Sequence, residues 1–295
     1  MEIRVLKYFL EVAREENITK AAESLHITQP TLSKQLIDLE EELGKKLFIR
    51  GKRRITLTED GILLRKRAAE IIELMEKTES ELKNINEGII GDVYIGAAET
   101  YNMKNIANIC VKLQKEYPNI HYHLFSGNSE DVLEKLDKGL IDFGFLVEPS
   151  DIKEYNYIKL PLFDTWGLLM RKDNPLSKKK YITSEDILDI PLLCSRQAME
   201  NNELTGYLEV EIEKLNIIAT YNLIYNAALF VKQGLGSAIT LDKLVDISGN
   251  TDLCFKNFFP ALKANLVLVW KKYQVFSKPA QKFLDEIKNT FNILN

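Results

Sequence analysis

Gln29, Ser33 and Lys34 fall on one side of a stretch, Thr28 to Leu36, that has the composition of a helix start. Thr28 can accept hydrogen bonds from the free amides of a first turn, and Pro30 sits where a missing N–H costs nothing. Polar side chains at a helix N-terminus, with the positive end of the helix dipole behind them, suit contact with phosphates and with base edges. On the other side Leu32, Leu36, Leu39 and Leu43 recur at three- and four-residue steps, so that face must lie on a core. Taken alone, an ordinary amphipathic surface helix has the same pattern.

The residues that precede it supply a partner. Ile18 to Leu25 reads as a compact helix capped by Asn17, and Ala21 and Ala22 leave room for close approach of another helix. His26-Ile27 is too short for anything but a sharp corner. Two short helices so joined form a helix-turn-helix, whose second helix enters a major groove. Beyond Gly44, Lys45, Lys46, Arg50, Lys52, Arg53 and Arg54 form a basic run without an acidic residue, while Glu40, Glu41 and Glu42 read as a face turned from phosphate. Leu47–Arg50 and Ile55–Leu57 read as two strands joined by 51–54, a wing whose tip can grip the DNA backbone or a minor groove.

Ala21-Ala22, Leu25, Thr28-Gln29-Pro30-Thr31-Leu32-Ser33, Gln35-Leu36, Leu39-Glu40, Leu43-Gly44, Leu47-Phe48, Arg50, Leu57-Thr58 and Gly61 together resemble the N-terminal domain of LysR-type transcriptional regulators, and the likeness covers nearly all of the chain. The resemblance implies an α/β fold with an N-terminal winged helix-turn-helix, a long linker helix, and a two-lobed, periplasmic-binding-protein-like regulatory domain. It implies a homodimer paired through the linker helix and assembling to a tetramer. Its partners would be a dyad-symmetric operator in double-stranded DNA, a small-molecule effector and RNA polymerase. Gln29, Pro30 and Ser33 are then expected at base edges, and Thr28, Thr31, Lys34, Arg50, Lys52, Arg53 and Arg54 at the backbone.

The bulk numbers agree with a globular protein of two or three domains: 295 residues, 45% hydrophobic and 28% charged. A net charge of -4 argues against a general polyanion binder, so DNA contact must come from a local patch. Cys110, Cys194 and Cys254 are odd in number and far apart, which fits reduced thiols. The N-terminus has no signal-peptide layout and no apolar run would cross a membrane, so a cytoplasmic setting is expected.

After a core helix over Glu2–Glu15 and the winged unit, expected to end at residue 58, Thr58 caps a helix running to about Asn86. At ~1.5 Å per residue that is roughly 40 Å, too long for one small domain to cover. Leu64, Ala68, Ile71, Met75, Thr78, Leu82 and Ile85 form a heptad seam along it, suited to a symmetry mate or to the chain's own C-terminal domain. Residues 59–91 are therefore linker and hinge. From Asp92 strands alternate with helices: 93–96, 120–125 and 143–147 with helices between them, then strands at 165–170, 192–195, 217–221, 236–240 and 264–270. Helices are expected at 202–215, 225–232 and 279–294. That grammar implies a parallel sheet with ligand sites beyond the carboxyl ends of its strands. The resemblance adds the division of 92–295 into lobe I (92–160 and 267–295) and lobe II (161–266), with crossings near Leu160-Pro161 and Lys263.

A cleft between such lobes would draw on Ala98, Glu99, Thr100, Tyr101, Ser126, Gly127, Asn128, Val147, Glu148, Ser195, Arg196, Gly234, Leu235 and Gly236. In the family a hydroxyl at the position of Thr100 holds an acidic or aromatic metabolite against a helix N-terminus, a setting that favours anions. Glu99 would repel an anion, unless Arg196 points inward to offset it. An enzyme is not expected: no Gly-x-Ser-x-Gly elbow, phosphate loop, C-x-x-C or H-E-x-x-H occurs. His121 and His123 alternate on one strand face, yet no carboxylate cluster accompanies them and no metal or cofactor is expected. Peroxide sensing would need a second thiol near Cys194. Two contrasting readings stay open: an α/β ligand-binding or catalytic protein with an incidental helical domain, and an architectural DNA-binding protein that needs no effector.

Overall fold

A computed structural model describes residues 1–51, 54–83, 88–148, 152–200 and 211–293. The chain forms two compact units, 1–83 and 84–295.

The first unit is built on three short helices, α1 (Ile3–Glu15), α2 (Ile18–Ser24) and α3 (Gln29–Leu43). Val5, Leu6, Phe9 and Val12 of α1, Ala21 and Ala22 of α2, and Leu32, Leu36 and Leu39 of α3 close one core. The helix ends follow from local chemistry: the Asn17 side chain accepts from the Lys20 amide at 3.1 Å, and Thr28 Oγ1 accepts from the Thr31 amide at 3.4 Å. His26 (φ 55°) turns the corner between α2 and α3, and Gly44 (φ 63°) ends α3 in the left-handed conformation that glycine adopts without strain. Strands β1 (Phe48–Arg50) and β2 (Ile55–Leu57) pair antiparallel, with Phe48 opposite Leu57 and Arg50 opposite Ile55.

Helix α4 (Glu59–Lys83) completes this unit. Thr58 caps it, its Oγ1 accepting from the Gly61 amide at 3.0 Å. A side chain at position 61 would meet the Leu47 carbonyl oxygen at 2.2 Å, so only glycine allows the helix to start against the wing. The expected seam needs correction at its N-terminal end: Ala68 is fully buried and Leu64 half-buried in the core of the first unit, so neither remains for a partner helix. Ile71, Leu74 and Leu82 are exposed, at 39%, 42% and 63%. Ile85 lies outside the described residues.

The second unit holds two linked sheets. In the first, β3 (Gly91–Ala97) pairs in parallel with β4 (Ile120–Ser126) and β5 (Phe143–Val147). Helices α5 (Met103–Glu116) and α6 (Ser129–Asp137) make the crossovers, as the βαβαβ pattern requires. The long β6 (Tyr155–Arg171) and β11 (Lys263–Lys271) extend the sheet antiparallel. The second sheet adds β7 (Leu192–Ser195), β8 (Ile217–Tyr221), β9 (Ser237–Leu241) and β10 (Leu253–Asn257), with β7 parallel to both β8 and β9. Helix α7 (Arg196–Glu200) follows β7 directly, α8 (Ile224–Lys232) lies between β8 and β9, and α9 (Lys278–Thr290) closes the chain over the first sheet's core through Phe283 and Ile287.

Strand β6 belongs to both sheets. It pairs with β11 up to Thr165 and with β9 from Trp166 onward, so the crossing falls at 165/166 and not at Leu160-Pro161. Pro161 instead sits where the β6–β11 register slips between Asn265 and Val267, a bulge in which its missing N–H breaks no ladder bond. All of β11 from Lys263 lies on the first sheet, so the returning segment begins on it ahead of residue 267. Thr183-Ser184-Glu185-Asp186 has the composition of a helix start, but the chain makes only a 3-10 turn there, Glu185–Ile187. Of the helix expected at 202–215, residues 201–210 lie outside the described residues and Ile212–Lys214 form a 3-10 turn.

Candidate functional site

The first unit presents the N-terminal half of α3 outward. Thr28, Gln29, Pro30, Thr31 and Lys34 are exposed and Ser33 is half-buried, while Leu32 and Leu36 anchor the opposite face. The Thr28 and Thr31 hydroxyls lie 2.8 Å apart, so the start of the helix carries a ready cluster of donors and acceptors. The wing is tied to α1 by the Ile55 amide, which donates to the Glu16 carbonyl at 3.0 Å. Its base holds Arg54, exposed and 3.3 Å from Glu16. Lys52 and Arg53 lie outside the described residues, and of Arg50 only its place at the end of β1 is described.

Glu40 stands apart from the rest of the acidic run, whose Glu41 and Glu42 are exposed. It does not face solvent: its carboxylate is buried and accepts from the Leu47 amide at 2.7 Å, the Phe48 amide at 3.2 Å and Lys46 Nζ at 3.1 Å. Burial alone would raise its pKa, but the two amides and the Lys46 ammonium outweigh it and hold the carboxyl below its ordinary value. The last turn of α3 is thereby fastened to the first wing strand. Two of the basic residues are engaged at the same time, Lys46 with Glu40 and Lys45 with Asp60 at 3.5 Å.

In the second unit a cavity of about 80 Å³ opens where the strands of both sheets end. Ala98 and Glu99 follow β3, Gly127 and Asn128 follow β4, and Val147 and Glu148 end β5. Ser195, Gln197 and Ala198 come from β7 and α7, Tyr221 to Ile224 from the β8–α8 corner, and Thr240, Leu241 and Leu244 from the end of β9. Trp166 enters from β6. Two pairs of groups bridge the walls: Glu99 Oε2 accepts from the Ile224 amide at 2.6 Å at the start of α8, and Gln197 is doubly bonded to Ser129, whose amide donates to its Oε1 at 3.0 Å and whose Oγ accepts from its Nε2 at 2.8 Å. Asn128 caps α6, accepting from the Asp131 amide at 2.8 Å.

Ala98, Glu99, Gly127, Asn128, Val147, Glu148 and Ser195 thus meet in one wall, whereas the expected Thr100, Tyr101, Ser126, Arg196, Gly234, Leu235 and Gly236 do not line it. The Thr100 hydroxyl donates to the buried Asp164 carboxylate and accepts from the Asn102 amide at 3.0 Å. Burial raises the Asp164 pKa in spite of those bonds. Tyr101 is 45% exposed, with Lys104 and Lys243 Nζ 5.7 and 5.9 Å from its ring. Ser126 is an exposed last residue of β4 paired with Ala97, and Arg196 opens α7 facing solvent. Gly234 (φ 86°) ends α8, a conformation that favours glycine on its own account.

Trp166, Gln197, Tyr221 and Thr240 were missed. The expected strand ends at 221 and 240 pointed to Tyr221 and Thr240, because sites gather beyond carboxyl ends; no local signal marks Gln197. Tyr221 donates to the Ile239 carbonyl at 2.6 Å and its phenol pKa is pushed up by burial. The Trp166 indole N–H is buried without an acceptor among the described residues. His123 Nε2 lies 2.9 Å from Asp92 and its ring stacks on Tyr94 at 4.5 Å. No group of three His, Cys, Asp or Glu among the described residues is arranged to hold a metal ion, and no described helix is long and apolar enough to cross a membrane.

Comparison with known proteins matches residues 3–62 to the bacterial regulatory helix-turn-helix protein, lysR family, and residues 86–292 to the LysR substrate binding domain. The chain is 26% identical over 295 residues to the HTH-type transcriptional regulator BsdA of Bacillus subtilis (strain 168), a match that covers 97% of this chain and 99% of BsdA. It is 28% identical over 194 residues to a hydrogen peroxide-inducible genes activator of Dickeya chrysanthemi, covering 65% of this chain and 63% of that one. Among solved structures, full-length CbnR complexed with its target DNA has the same fold, with a TM-score of 0.78 at 21% identity over 98% of this chain and 100% of CbnR. An H2O2-bound mutant of Corynebacterium glutamicum OxyR is more distant, with a TM-score of 0.56 at 21% identity over 99% of this chain and 92% of that one. Two family models that together span the helix-turn-helix and the cavity-bearing unit identify the chain as a member of the LysR family, a transcriptional regulator with a helix-turn-helix DNA-binding domain and an effector-binding domain.

Proposed function

We propose that the chain reads a dyad-symmetric operator through α3 and that a small molecule held in the cavity of the second unit changes how it does so. The observation that carries the reading is the exposed polar start of α3, Gln29 to Lys34, set on a rigid apolar core and capped by Thr28. Gln29, Pro30 and Ser33 then face base edges, while Thr28, Thr31, Lys34, Arg50, Lys52, Arg53 and Arg54 contact the backbone. Ile71, Leu74 and Leu82 of α4 supply an exposed apolar strip for pairing with a second copy, and a dimer presents two such helices to two half-sites. CbnR, with the same fold, is solved with its target DNA. Winged unit, linker and effector domain correspond to 1–58, 59–91 and 92–295, the action is regulatory and not catalytic, and the setting is the cytoplasm.

As for mechanism, Glu99–Ile224 and Ser129–Gln197 tie the two walls of the cavity. A ligand that binds one arrangement of those walls better than another shifts the population, and through the dimer the spacing or bend imposed on DNA. RNA polymerase is a partner consistent with this role. Gel-shift competition against genomic fragments is the test. A specific complex that outlasts excess non-specific DNA at about 200 mM salt supports operator reading, and uniformly weak, salt-sensitive binding supports an incidental helical domain. An architectural protein would bind the operator identically with and without every metabolite tried.

A further inference from the structure

On the reading of the cavity as the effector site, we propose that its ligand is a small organic cation, an amine that also carries an oxygen acceptor, and not a carboxylate. Among the described residues the charged side chains in the wall are Glu99 and Glu148, and no lysine or arginine stands there. Residues 149–151 and 201–210, outside the described residues, contain neither in their sequence. Glu148 is neutralised by Lys159 Nζ at 2.5 Å and also accepts from Asn265 at 3.0 Å. Glu99 has no cationic partner among the described residues; it accepts the Ile224 amide at the start of α8. That helix end carries only a fraction of a positive charge, so the Glu99 carboxylate keeps part of its own.

The two helix N-termini of eight or more residues at the cavity, those of α8 and α6, are therefore already filled from within the chain, by Glu99 and by Asn128. An entering carboxylate would have to displace Glu99 or lie beside it, and Arg196, the cation that could have offset this, is exposed and outside the wall. An ammonium group meets the opposite situation, because Glu99 keeps a free oxygen to accept from it. A second observation points to the oxygen. Trp166 belongs to the wall, and its indole N–H is buried without an acceptor among the described residues, a donor that a ligand hydroxyl or carbonyl reaching it would satisfy. The remaining wall is largely apolar, with Ala98, Val147, Leu223 and Leu241 suited to a short alkyl segment.

Three probes of equal skeleton test this on the full chain: 4-amino-1-butanol, 1,4-butanediol and 4-hydroxybutyrate, titrated at pH 7 by calorimetry or ligand-observed NMR. The expected order is amine, diol, carboxylate, with about tenfold or more between the first and last, as one unscreened charge a few ångströms away would give. In Glu99→Gln the amine loses its advantage over the diol. Tighter binding of the carboxylate, absence of binding by the amine, or an amine preference that survives Glu99→Gln overturns the proposal. Ser195→Trp, which fills the cavity, separates the two levels. Carboxylate binding abolished by Ser195→Trp keeps the cavity as the effector site and removes the amine alone, whereas amine binding undiminished by it removes the cavity as well.

Discussion

The Glu40 carboxylate accepts the Leu47 amide at 2.7 Å, and this bond, with its neighbour from Phe48, joins the end of α3 to the start of the wing. Glu40→Ala leaves two buried amides without acceptors, so it should lower the stability of the first unit by about 1–3 kcal/mol, read as a shift in urea midpoint. The pH arm has a definite sign. Because the folded carboxyl titrates below its ordinary value of 4.5, its contribution is full above that pH and is lost as pH falls through the lower folded value. Glu40→Ala should accordingly show a shallower loss of stability on acidification than the parent chain; an equal slope would place the Glu40 charge outside the fold's energetics.

Base reading and backbone grip should separate. Gln29→Ala should cost about 1–3 kcal/mol against the preferred operator and relax selectivity at one base position. Arg54→Ala should weaken all sequences alike and reduce the slope of log K against log salt by about 0.9, since its exposed pair with Glu16 is worth little in free solution and is easily exchanged for a phosphate. Competition binding at several salt concentrations checks both. Selectivity unchanged in the first variant, or base-dependent losses in the second, would reverse the assigned roles.

Local signals explain which parts of this fold can be read from the chain. Thr28, Pro30 and Gly44 each act within a few residues of themselves, and α3 begins and ends where they say it should. Strand β6 has no such markers: Pro161 and Asp164 interrupt its apolar pattern, and the pairings that hold it come from β11 and β9, far along the chain. Glu40 carries the composition of a solvated acidic run, and only the return of Leu47 and Phe48 buries it. In the cavity, Glu99, Asn128 and Ser195 follow from the strand-end rule. Thr100 does not line it, because the partner that claims its hydroxyl, Asp164, lies 64 residues on.

Thr100 bonds Asp164 and does not line the cavity. Burial raises the Asp164 pKa above its ordinary 3.8, so this group favours the folded state at low pH and its benefit is lost as pH rises through the folded value. Thr100→Val removes a bond to the ionised form and should move the Asp164 titration, followed by carboxyl 13C NMR, further up. Cavity-ligand affinity should change little beside that of a Glu99 variant. A titration left where it was, with ligand binding lost, would return Thr100 to the cavity wall.

The three thiols are unpaired in the fold, Cys194 buried and Cys110 and Cys254 partly buried. Burial pushes Cys110 up to about 11 and Cys194 up to about 12, and raises Cys254 as well. Thiolate, the reactive form, is thus scarce near neutral pH. Native protein should react slowly with a thiol reagent and regain speed only in denaturant, and Cys194→Ser should leave operator binding insensitive to added peroxide, as in the parent. Fast native labelling or a peroxide-induced shift in binding would show that a thiol is poised after all.

Selection of bound duplexes from a random DNA pool, run in parallel with the parent chain and with Gln29→Ala/Ser33→Ala/Lys34→Ala, addresses α3 as the reading element most directly. The parent should enrich one motif with two inverted half-sites, and the triple variant, folded as judged by its thermal transition, should enrich none. The same motif recovered by both proteins would mean that sequence is read by some other part of the molecule.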